Sequence, residues 1–60
     1  ASQGISAKDA QKIARSKGAK TIQKTTFGMA KGVPIWEVRS NGLYYLIDFK
    51  SGDLIQREGL

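Results

Sequence analysis

At 60 residues the chain has the length of one domain, and a chain that short buries only about 60% of the surface it exposes when unfolded. It has no cysteine and no histidine, which excludes disulfide staples, thiolate nucleophiles and the commonest zinc ligands. Its net charge of +5 is unevenly placed: in residues 1–31, Lys8, Lys12, Arg15, Lys17, Lys20, Lys24 and Lys31 stand against Asp9 alone. The remainder is close to neutral. A basic half beside a neutral one suits an anionic partner, and it equally suits a solvated face that keeps a small domain in solution.

The first element is a helix. Ser6-Ala7-Lys8-Asp9 has the spacing of a capping box, and Asp9 puts negative charge at the positive end of the helix dipole. Ile5 precedes the cap and pairs with Ala10 as a weak hydrophobic staple. Good helix formers continue to about Lys17, and Gly18 stands where a left-handed C-terminal cap belongs. Ala10, Ile13 and Ala14 share one face; Lys8, Lys12 and Arg15 share the opposite one. A stripe of alanines suits a helix lying close across a sheet.

Thr21, Ile22, Thr25, Thr26 and Phe27 favour a first strand over roughly residues 20–29, with loose alternation, followed by a turn through Ala30-Lys31-Gly32-Val33-Pro34. Next, Asn41-Gly42 separates two strand-like runs, residues 35–40 and 43–49, the strongest short hairpin signal. A two-residue turn there pairs Ser40 with Leu43, Val38 with Tyr45 and Trp36 with Ile47. Those residues form the face toward the helix, together with Phe49. Ile35, Glu37, Arg39, Tyr44, Leu46 and Asp48 form the outer face, a mixed surface suited to partial solvation. Phe27 is expected in the core as well.

Lys50-Ser51-Gly52-Asp53 is a second turn, and Leu54–Arg57 returns as a short last strand with either Leu54 or Ile55 inside. Glu58-Gly59-Leu60 is expected to fray. The fold class is α+β: an N-terminal helix packed on a small antiparallel sheet of three to four strands, with residues 1–60 as a single domain. No apolar run approaches the ~20 residues needed to cross a bilayer. The opening Ala1-Ser2-Gln3-Gly4 has the look of a cut boundary, which leaves a leader or anchor upstream open.

Three stretches carry a family resemblance. They are Ile5-Ser6, Asp9-Ala10 and Ile13-Ala14; then Gly32 with Pro34-Ile35-Trp36-Glu37-Val38; then Tyr45-Leu46-Ile47-Asp48 with Ser51-Gly52-Asp53-Leu54-Ile55. In order and spacing, over about Ile5 to Gln56, they resemble the PepSY domain. That family occurs in propeptides of secreted metallopeptidases, in YpeB-type spore proteins and in small YpmB-like membrane-anchored proteins. The resemblance implies a helix on a small antiparallel sheet, an extracytoplasmic setting and a non-catalytic role. The role it implies is one such as restraining a peptidase or holding a partner at the cell envelope. It carries no catalytic residues, and Trp36, Val38, Tyr45, Asp48 and Gly52 read as fold determinants. The basic first half departs from the more acidic family pattern, which keeps an anionic partner in view.

Catalytic chemistry finds little material. Without histidine there is no base near neutral pH among the side chains, and Asp48 and Asp53 flank a turn whose amides Asp48 is placed to accept. As a calcium site that pair is under-liganded. Gly28, Gly32, Gly42 and Gly52 stand singly at turns, without a phosphate-loop spacing. We therefore expect no enzyme, no cofactor and no metal, but a module that binds a protein partner, a peptidase or envelope component. The expected contact surface is the outer sheet face at Ile35, Arg39, Tyr44 and Leu46, or an unpaired strand edge. The alternative is a small basic domain binding nucleic acid or an anionic polymer through Lys8, Lys12 and Arg15, with Lys20 and Lys24 nearby. A purely structural piece of a larger protein is a third class.

Overall fold

The computed structural model describes residues 4–59. It contains helix α1 (Ala7–Ser16) and four strands, β1 (Ile22–Ala30), β2 (Val33–Ser40), β3 (Leu43–Asp48) and β4 (Leu54–Gly59). The strands form one antiparallel sheet in chain order, β1-β2-β3-β4, so each joins its sequence neighbour and β1 and β4 are the edges. The helix packs on one face, against β1, β2 and β3.

The helix begins as its residues dictate. Ser6 Oγ accepts the Asp9 amide at 3.1 Å, and the Ser6 amide donates back to Asp9 Oδ2 at 3.3 Å, satisfying two end donors reciprocally. Lys17 caps the C-terminus and Gly18 follows at φ 117°, a left-handed conformation that a side chain would resist. Ile5 does more than precede the cap. It joins the core, its amide donates to Phe49 O at 2.8 Å, and its carbonyl accepts Trp36 Nε1 at 3.0 Å. These two bonds tie the start of the helix to the far end of the β2–β3 hairpin.

The Asn41-Gly42 turn has positive φ at both residues, 46° and 81°, as a two-residue hairpin turn requires. It fixes the pairs Ser40–Leu43, Val38–Tyr45 and Trp36–Ile47 as expected. The earlier turn differs from expectation. It comprises Lys31 and Gly32 alone, at φ 51° and 80°, and β2 already begins at Val33 and runs through Pro34. Pro34 fits because it faces Met29. Bonded and non-bonded pairs alternate from the closing Ala30–Val33 pair, so Pro34 needs no N–H toward β1. Its carbonyl, on the other side, accepts the Phe49 amide at 3.0 Å.

The core comprises Ala10, Ala14, Ala19, Val38, Tyr45 and Ile47, all buried, with Ile13, Ile22, Trp36, Leu43 and Leu54 packed around it. In β4 the inside residue is Leu54, opposite Ile47. A bulge follows, and Ile55 is left 47% exposed. Glu58 and Gly59, expected to fray, continue β4 opposite Tyr44 and Leu43; Leu60 lies outside the described residues. Phe27 is not a core residue. It meets Trp36 and Phe49 edge-on, with ring centroids 5.4 and 5.2 Å away, yet remains 50% exposed. The cause is length. A 10-residue helix spans about 15 Å, whereas the nine residues of β1 span about 30 Å, so the helix covers only part of the β1–β2 hairpin.

Candidate binding surface

The face of the sheet away from the helix is built in rows set by strand register. Lys24, Arg39, Tyr44 and Glu58 form one row across the four strands; Thr26, Glu37, Leu46 and Gln56 form the next; Gly28, Ile35 and Asp48 form a third. Between the first two rows lies a depression of about 150 Å³ lined by Lys24, Thr26, Glu37, Arg39 and Tyr44. Two cations, one carboxylate, a hydroxyl and a phenol converge there on rigid strands. Such a set is able to orient a ligand through hydrogen bonds and charge.

All four residues expected on this face are on it, but they divide. Arg39 is exposed and Tyr44 half-buried beside it, so these two are accessible. Ile35 is 3% and Leu46 9% exposed, so they offer little area to a partner. Each sits on a middle strand, with a paired strand on either side. Gln56 donates to Glu58 Oε1 at 2.7 Å along β4, bordering the same face.

Lys8, Lys12 and Arg15 are exposed, on the side of the helix turned from the sheet. Lys24 does not extend that stripe. It pairs with Arg39 on the opposite surface of the domain. The register of β1 decides this, and loose alternation in residues 20–29 concealed it. The clue lay in Lys31-Gly32: counting back from a two-residue turn places Lys24 and Thr26 beside Arg39 and Glu37.

Asp48 works as a turn former. Its Oδ1 accepts the amides of Lys50 at 2.8 Å and Ser51 at 3.1 Å, its carbonyl accepts Gly52 N, and its own amide donates to Asp53 O. The Ser51 amide first, then that of Lys50, holds the carboxyl below its usual pKa. A carboxylate with a depressed folded-state pKa stabilises the fold above the unfolded-state pKa, and the effect fades as pH falls through the folded value. Asp48→Asn keeps an acceptor without the charge. Its stability deficit, from urea midpoints between pH 6 and pH 2, is expected to shrink below about pH 4. A deficit constant across that range contradicts the assignment.

Among the described residues no group of three acidic, cysteine or histidine side chains is placed to hold a metal, and no helix is long and apolar enough to cross a membrane. No family model, no curated protein and no solved structure matches the chain.

Proposed function

We propose that this domain is a non-catalytic module that binds a protein partner through the open sheet face, around Arg39 and Tyr44. The observation that carries the reading is the depression beside these two residues, where mixed charges and hydrogen-bonding groups converge on a surface the helix leaves uncovered. The PepSY resemblance of Ile5 to Gln56 supports the same class of role. It adds an extracytoplasmic setting and a peptidase or cell-envelope component as the partner. The test is selection of binding peptides from a displayed library, followed by titration into isotope-labelled protein. Arg39→Ala with Tyr44→Ala, both remote from the core, is expected to weaken the selected peptides by at least roughly tenfold, the effect of removing an aromatic and arginine anchor. Unchanged affinity rules the surface out.

The exposed stripe Lys8, Lys12 and Arg15 favours a second reading, an anionic-polymer binder. A mixed-sequence oligonucleotide then shifts those three amides saturably, with an affinity that falls steeply with salt. A silent spectrum leaves the protein partner as the function.

A further inference from the structure

We propose that the free edge of β1 docks an extended peptide in which acidic and apolar residues alternate. The inference rests on the reading of the domain as a protein-binding module and names the segment such a partner presents. Strand β1 is nine residues long and, among the described residues, pairs only with β2. The Lys31-Gly32 turn closes on the Ala30–Val33 pair, so Ala30, Gly28 and Thr26 bond to β2 while Met29, Phe27 and Thr25 turn their N–H and C=O groups outward. An added strand finds these donors and acceptors in register.

The side chains along this edge state what the added strand carries. On the helix side, Phe27 and Met29 are 50% and 65% exposed, beyond the reach of α1, and accept apolar residues. On the opposite side stands Lys24 with Arg39 behind it, two cations against the one carboxylate of Glu37, and this excess accepts carboxylates. No acidic residue occurs between Asp9 and Glu37, whereas Lys20 and Lys31 flank the strand. The residues of a β-strand alternate between faces, so one peptide meets both demands by alternating acid and apolar residues. A second copy of this chain is the poorer occupant, because it brings another net +5 to a basic edge. The other edge is less suited: β4 has six residues, carries the bulge at Ile55 and bears charges of both signs at Arg57 and Glu58.

The probe is a synthetic peptide of the length of β1 alternating glutamate with valine, with the lysine–valine peptide as control. Binding is expected to slow hydrogen exchange at Thr25, Phe27 and Met29, and to leave Thr26 and Gly28 unchanged. Lys24→Glu is expected to weaken the glutamate peptide about threefold to fivefold, as for one exposed ion pair, and to shift preference toward the lysine peptide. Met29→Pro removes one outward N–H without touching the β1–β2 ladder and is expected to cost roughly tenfold. Met29→Thr keeps the strand and loses the apolar contact, with an expected threefold effect, about the loss of one half-exposed side chain. Three results overturn the proposal: binding without alternating protection, equal affinity for both peptides, or protection of the same amides with protein concentration alone. If the alternating peptide fails these tests while library peptides depend on Arg39 and Tyr44, the edge proposal falls and the module reading stands.

Discussion

Replacing Ile47 by alanine is expected to leave most of the chain unfolded in water at room temperature. Ile47 is fully buried on a middle strand, between Trp36 on β2 and Leu54 on β4, and belongs to the core under the helix. Removing its outer carbons leaves a cavity that neighbours on three strands cannot close. Such changes cost about 2–5 kcal/mol. A domain of this size, without staples, has only about 3–5 kcal/mol to lose. Urea unfolding followed by Trp36 fluorescence measures the loss, because Trp36 lies among Phe27, Phe49 and the Ile5 carbonyl. The control is Ile55→Ala, eight positions along, half exposed at the bulge. It is expected to stay within about 0.5 kcal/mol of the parent, as exposed substitutions do. A similar loss at both positions contradicts the packing assigned to β4.

The second large effect comes from adding volume. Ala14 is fully buried where α1 lies on the sheet, and Ala10, one turn earlier, is equally enclosed. The alanines set the distance between helix and sheet. Ala14→Leu puts three more carbons into that gap, and is expected to destabilise by about 1–3 kcal/mol, or to lift the helix. Leucine is nearly as good a helix former as alanine, so propensity does not account for the loss. Lys12→Leu on the exposed face provides the comparison and is expected to be nearly neutral. If Ala14→Leu unfolds at the parent's urea concentration, the close approach of helix and sheet does not limit packing at this site.

The same short helix that makes the core small shapes the candidate site. Beyond the reach of α1, Phe27 stays half exposed and Met29 more so, and the opposite sheet face stays open at Arg39 and Tyr44. The core residues thus lie apart from Arg39, Tyr44 and Lys24, which share the sheet face away from the helix. This separation allows Arg39, Tyr44 and Lys24 to be changed without disturbing Val38, Tyr45 or Ile47. It is also why the binding variants can be read against an intact fold.

The sequence by itself determined what local interactions decide. Ser6 and Asp9 mark the helix start because a capping box is closed by residues three apart. Asn41-Gly42 fixes the β2–β3 register because a two-residue turn leaves one pairing open to the strands beside it. Asp48 shapes its turn because its acceptors lie within three residues of their donors. The tertiary structure alone decided the rest. Which face receives Lys24, whether Leu54 or Ile55 turns inward, how far β4 runs and that Pro34 continues a strand all depend on pairing between strands and on where bulges fall. Burial of Ile35 and Leu46, and exposure of Phe27, depend on how many strands flank a residue and how far a helix reaches across them. Alternation along the chain records which face a residue takes in a regular strand. How much of that face is covered is set by elements distant in sequence, so it emerges only when they pack.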